Sequence, residues 1–126
     1  MSLKSVSGIT CHVKNVSKSA KFYETLGFKF RTREPDHATA YLNWFWIDLL
    51  SIDKETRPGP RKSAKLATKG AGILIYISVE DVDRFHKTLV SRRLKPSTEP
   101  QDSPWGNREF MIKDPDGYQL VFFKRK

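Results

Sequence analysis

The stretch GITCHVKNVSKSAKFYETLGFKF, residues 8–30, changes its apolar period partway along. Over Gly8 to Val13, Ile9, Cys11 and Val13 alternate with Gly8, Thr10 and His12, the period of a half-buried strand. Beyond it the spacing lengthens. Val16, Ala20, Tyr23 and Leu26 fall on one helical face, with Asn15 or Ser17 placed to cap the start and Gly27 to stop the end. Phe28 and Phe30 then open a second strand. One strand, one helix and a return strand therefore follow each other within a few turns of chain.

Reading outward, Ala38 to Ile52 is rich in aromatic and branched residues and is interrupted near Asn43 and Trp44, which predicts a hairpin of two strands. The first module is thus β-α-β-β-β, over residues 6–53. From Lys54 to Gly72 the composition turns to Lys, Arg, Pro, Gly and Ala around Pro58-Gly59-Pro60, and this stretch is expected to be a basic linker or surface loop, 54–71. The same order then begins again over 72–125. Ile73, Ile75, Ile77 and Val79 alternate with Leu74, Tyr76 and Ser78, and Asp81 caps a helix carrying Val82, Phe85, Leu89 and Val90. A Pro-rich loop runs from Pro96 to Pro104. Strands at Arg108 to Lys113 and Tyr118 to Phe123 flank the turn Asp114-Pro115-Asp116-Gly117. Val13-Lys14-Asn15-Val16 overlays Val79-Glu80-Asp81-Val82, so the chain reads as a duplicated module in a single α+β domain, 1–126.

A chain of 126 residues has room for one ordinary domain, so the duplication must share one body. With 38% hydrophobic residues, three Trp and eight Phe, it carries enough large apolar side chains for a core. Lys and Arg outnumber Asp and Glu by 23 to 14, a formal charge of +9, which favours anionic over cationic partners. One cysteine, Cys11, excludes an intrachain disulfide and a multi-cysteine zinc site and is expected to be a small buried residue. No long apolar run near the N-terminus or elsewhere suggests a signal peptide or a membrane span, so the expected location is the cytoplasm.

Two segments carry a family resemblance: Val13-x-Asn15-Val16-x-x-Ser19-x-x-Phe22-Tyr23-x-x-Leu26-Gly27-Phe28, and Trp105-Gly106-x-Arg108-x-Phe110-x-x-x-Asp114-Pro115-Asp116-Gly117-x-x-Leu120. Both resemble the vicinal oxygen chelate superfamily, which includes glyoxalase I, bleomycin-resistance proteins and extradiol dioxygenases. The resemblance implies two βαβββ modules forming a curved mixed sheet around an open cleft, often completed by homodimerisation. In its metal-dependent members four inward side chains, usually His or Glu, hold the ion. The matching positions here are Gly8, Asp48, Leu74 and Val121, of which only Asp48 offers an oxygen. A catalytic transition metal needs about three protein ligands, so no metal and no other cofactor is expected. A displaced pair of His12 and Asp48 is disfavoured, because Gly8 and His12 stand roughly 13 Å apart along the strand. His37, in a polar loop, and His86, on the second helix, are expected to be structural or exposed. The Asp114 to Gly117 acids are expected to serve their turn rather than a cation.

The resulting cleft is expected to be lined by Thr10, His12, Asp48, Leu74, Tyr76, Val121 and Phe123 together with Trp44, Trp46 and Trp105. Aromatic walls with a few polar groups suit a flat small molecule. The expected function is therefore sequestration of a neutral or anionic aromatic ligand, similar to the bleomycin-resistance branch. Cationic bleomycin itself would be repelled by the charge. The other reading is a lyase, isomerase or dioxygenase with a rebuilt active site, either metal-dependent or a metal-free catalyst in which His12, Asp48 or Tyr76 moves protons. The basic residues Arg57, Arg61, Lys62 and Lys65 come without any nucleic-acid-binding signature, and a solvated loop is preferred to a contact with nucleic acid or an acidic protein.

Overall fold

The computed structural model describes residues 2–126, and its contacts divide the chain into two units, residues 1–69 and 70–126. Each unit is built on a four-stranded mixed sheet.

In the first unit, β1 (Gly8–Val13) leads into α1 (Val16–Leu26), followed by β2 (Lys29–Arg33), β3 (His37–Leu42) and β4 (Phe45–Ser51). Of the two candidate caps Asn15 is the one used, its side chain accepting from the Lys18 backbone N–H at 2.9 Å. Gly27 closes the helix at φ 118°, a left-handed conformation that costs a residue without Cβ little. Val16, Ser19, Ala20, Tyr23 and Leu26 form the buried face of α1, which packs on β3 and β4. The strand order is β1-β4-β3-β2, with β1 parallel to β4 and the other pairs antiparallel. Cys11, Val13, Ala38, Ala40, Ile47 and Leu49 are buried on the helix side.

Two expectations change here. His37 is not in a loop: Glu34 and His37 exchange backbone hydrogen bonds around Pro35-Asp36, a tight hairpin that starts β3 at His37. The stretch expected as a basic linker or surface loop follows a turn of 3-10 helix at Ile52–Lys54 and carries a short helix, α2 (Pro58–Ser63), with proline in its first turn where the missing N–H costs nothing. Its Ala64 is fully buried, and the Lys69 amine donates to the carbonyls of Ala64 and Leu66, satisfying groups a helix end leaves open. Arg61, Lys62 and Lys65 remain exposed.

The second unit repeats the order: β5 (Ile75–Ser78), α3 (Val82–Ser91), β6 (Gln101–Asp102), β7 (Asn107–Lys113) and β8 (Gln119–Arg125). Asp81 caps α3 by accepting from Arg84 N–H at 3.0 Å. The sheet order β5-β8-β7-β6, with β5 parallel to β8, is that of the first unit element for element. The Pro96 to Pro104 loop contributes β6, a two-residue strand. Asp114 Oδ1 accepts from the backbone N–H groups of Asp116 and Tyr118, both at 2.9 Å, and Gly117 sits at φ 98°, so these acids do serve the turn. Among the described residues no helix is long and apolar enough to cross a membrane.

Candidate functional site

Strand pairing arranges the helix-free face of the first sheet into rows. Residues paired across a sheet project to the same side, so the β1-β4-β3 register gives Gly8, Trp46 and Tyr41 in one row. The next holds Thr10, Asp48 and Thr39, and the third holds His12, Leu50 and His37. The alternating residues of the same strands are the buried ones against α1. Polar and aromatic side chains therefore gather on this face because the apolar half of the alternation is taken by the core.

In the first row the Trp46 indole lies directly over Gly8. A Cβ at position 8 would collide with Cδ2 and Cε3 of that ring and with the Trp46 carbonyl oxygen. Beside it, the Arg31 guanidinium, on the residue bulged out of the β2–β3 register, stands 4.8 Å from the centre of the Tyr41 ring. In the second row Asp48 Oδ1 accepts from the Thr39 hydroxyl at 2.7 Å, and His37 Nε2 is 3.2 Å from the same oxygen. Beyond the third row lies Glu55, whose side chain is 2% exposed. Its carboxylate accepts from Arg57 Nη2 at 2.6 Å, Nε at 2.9 Å and backbone N at 3.2 Å, and His12 Nε2 is 2.8 Å away. The Arg57 bonds first, then the His12 bond, hold the Glu55 carboxyl far below the usual carboxylate range.

A carboxyl depressed in the folded state stabilises fully above its ordinary value of 4.5 and loses that contribution as pH falls toward the lower folded value. Wild type is therefore expected to melt several degrees above Glu55→Gln at neutral pH, with the gap narrowing as pH drops from about 5 to about 3. Thermal melts across that range check it, and a gap of constant size would show that ionised Glu55 contributes nothing.

The expected ligand-binding residues fall into two groups. Thr10, His12, Trp46 and Asp48 share the face just described, and Trp44 sits in the β3–β4 turn, 74% exposed. Tyr76, Val121 and Phe123 belong to the second sheet, where the Tyr76 and Phe123 rings meet edge to face at 5.5 Å and Val121 is wholly buried. Trp105 is an exposed turn residue of that unit, and Leu74 precedes β5. Glu109 lies opposite Phe123 on β7 and keeps Oε1 buried with no hydrogen-bond partner among the described residues. The pair of His12 with Asp48 does not form: Asp48 pairs in register with Thr10 and bonds to Thr39 and His37, while His12 turns to Glu55.

Thr39 and Glu55, which join this cluster, are not singled out by the sequence, where His37 reads as structural or exposed and Arg57 as part of a solvated basic loop. The alternation His37-Ala38-Thr39-Ala40-Tyr41 was there to be read as a strand with one polar face. Nothing local marks Glu55, a single acid ahead of a basic run.

Two βαβββ units of identical strand order, each with a helix between its first two strands, define a duplicated α+β scaffold of the glyoxalase type. The chain belongs to the Glyoxalase/Bleomycin resistance protein/Dioxygenase superfamily, whose sequence profile matches residues 7–122. No curated protein matches the sequence. Among solved structures, a glyoxalase/bleomycin resistance protein/dioxygenase from Nocardioides is 21% identical with a TM-score of 0.80, over 99% of this chain and 85% of that one. A member of the same superfamily from Sphaerobacter thermophilus DSM 20745 is 24% identical with a TM-score of 0.73, over 96% and 97%. A glyoxalase-related enzyme from Fulvimarina pelagi is 20% identical with a TM-score of 0.74, over 96% and 88%. At these identities the likeness speaks to the fold.

The metal that many members of this superfamily carry does not fit the residues present. Of the positions matching its ligands, Gly8 has no side chain and lies under the Trp46 ring, and Leu74 and Val121 have no donor atom. Asp48 by itself falls short of the three protein ligands a catalytic site uses. Among the described residues no group of three or more His, Cys, Asp or Glu is placed to hold an ion.

Proposed function

We propose that this chain binds a neutral or anionic aromatic small molecule on the helix-free face of its first sheet, without a metal and without altering the ligand. The observation that carries this reading is the Trp46 indole lying over Gly8, next to the Thr39–Asp48–His37 cluster. An indole offers a broad apolar surface for stacking, and a carboxylate and imidazole beside it can orient a hydroxyl or N–H of the ligand. The formal charge of +9 draws anions toward the protein and discourages cations. The same reading takes the protein to be a cytoplasmic homodimer, and its mass in solution tests the second part.

A thermal-shift screen of neutral and anionic aromatic compounds, run with metal analysis of protein purified without chelator, tests the proposal. The expected result is stabilisation by at least one such compound and no stoichiometric transition metal. Trp46→Ala, folded by circular dichroism, should then lose at least about tenfold in affinity, the equivalent of roughly 1.4 kcal/mol. Unchanged affinity, or a stoichiometric metal in the wild type, overturns it.

An enzymatic reading rests on a different observation. His37 with Asp48 and His12 with Glu55 are two imidazole–carboxylate pairs on one face, the arrangement that orients a general base. Mass analysis of each stabilising compound after incubation decides between the two. A product that forms with wild type and not with the His12→Ala/Asp48→Ala variant would replace the binding proposal with catalysis.

A further inference from the structure

We propose that Arg57 is the anchor for the ligand's anionic group, so that the molecule recognised is an elongated aromatic acid with its ring system at Trp46 and its charge at the far end of the same face. The inference rests on the binding function proposed above and adds which residue selects the ligand.

Arg57 combines exposure with immobility. Its side chain is 61% exposed, yet Nε and Nη2 are both held by Glu55, a carboxylate itself 2% exposed and tied to β1 through His12. An arginine fastened along one edge of its guanidinium has already lost most of its side-chain freedom, so presenting the remaining donors to a second anion costs little further entropy. The charge stays in place, because arginine does not deprotonate in proteins.

The surrounding charges choose the direction of the ligand. Asp48 stands in the middle row, and its charge adds to the larger effect of Glu55 in favouring the charged Arg57 guanidinium. That carboxylate repels an anion placed in the middle of the face, while it accepts from a hydroxyl or N–H there. An acidic ligand therefore reaches past Asp48 to Arg57. The strand sets the least length required: the Trp46 row and the Leu50 row, whose His12 shares Glu55 Oε1 with Arg57, are four residues apart, or about 13 Å. A single benzoate ring is too short to bridge it, and a two-ring acid fits. At the other end, Arg31 has its guanidinium over the Tyr41 ring and no carboxylate among the described residues pairs with it, which makes it the natural control.

Biphenyl-4-carboxylate and its neutral carboxamide, with benzoate as a short acid, serve as probes by calorimetry or tryptophan fluorescence. Wild type is expected to bind the two-ring acid at least about tenfold more tightly than the amide and more tightly than benzoate. Arg57→Met should abolish the preference for acid over amide and leave amide affinity within about twofold. Arg57→Lys, which keeps a charge, should restore part of the preference, and Arg31→Met should leave it intact. Melting curves and circular dichroism confirm that each variant is folded.

Equal affinity for acid and amide in wild type, both dependent on Trp46, overturns the anchor and leaves the binding site standing. A preference that survives Arg57→Met, or that disappears with Arg31→Met instead, also overturns it. If neither two-ring probe binds wild type, the aromatic-ligand reading fails and this inference falls with it.

Discussion

Gly8→His is expected to lower the stability of the protein by roughly 1–3 kcal/mol or more and to create no metal site. The substitution places an imidazole at the first ligand position of the metal-dependent relatives, yet the space is taken. Any Cβ there runs into the Trp46 ring and into the Trp46 carbonyl oxygen. A ring can rotate, whereas the carbonyl belongs to the paired backbone of β1 and β4, and the Trp46 N–H is bonded to Ser7 O at 3.1 Å. Relief therefore requires β1 to move away from β4. Gly8→Ala should already show most of the loss, because the collision begins at Cβ. In a double-mutant cycle Trp46→Ala should recover the part due to the ring and not the part due to the carbonyl. Denaturant titration and metal analysis measure both outcomes. A Gly8→His protein as stable as wild type, or one that holds a stoichiometric ion, would show that the indole and the strand yield readily and that they do not define this face.

Phe110→Ala should cost about 3–5 kcal/mol, the largest effect of any single change considered. Phe110 is fully buried on β7, its ring 5.3 Å from Phe122, 6.3 Å from Phe85 and 5.0 Å edge-on from the His86 imidazole. Truncation removes the centre of this cluster and leaves a void that α3, β7 and β8 can collapse around only in part, since cores are packed near the density of organic crystals. Urea titration reads the loss as a lower midpoint, and hydrogen exchange should report lost protection in β7, β8 and α3. Phe110→Leu, which refills most of the space, should be milder. A loss below about 1 kcal/mol for the alanine variant would mean that the four rings are not the core of this unit.

Much of this was legible along the chain because the determinants are local. Asn15, Gly27 and Asp81 act within a few residues of themselves: α1 starts at Asn15 and stops at Gly27, and α3 starts where Asp81 caps it. Alternation at Gly8 to Val13 placed Thr10 and His12 on one face, and that face is where they stand. The Lys54 to Gly72 stretch was harder. Its composition signals a loop, yet Pro58 at a helix start and Lys69 over the carbonyls of Ala64 and Leu66 give it a helical turn and a fixed end. His37 was misplaced for a related reason: Pro35-Asp36 makes a hairpin so short that strand pairing begins immediately after it.

Periodicity, capping residues and the duplicated order of elements were written in the chain itself, since each depends on neighbours a few residues apart, and they determined a pair of βαβββ units. Which side chains meet was decided in three dimensions. His12 binds Glu55 across 43 positions, Asp48 accepts from Thr39 instead of His12, and Trp46 covers Gly8 from a neighbouring strand. Contacts of that kind follow from sheet register and from where a returning loop comes to rest, and a one-dimensional pattern fixes neither.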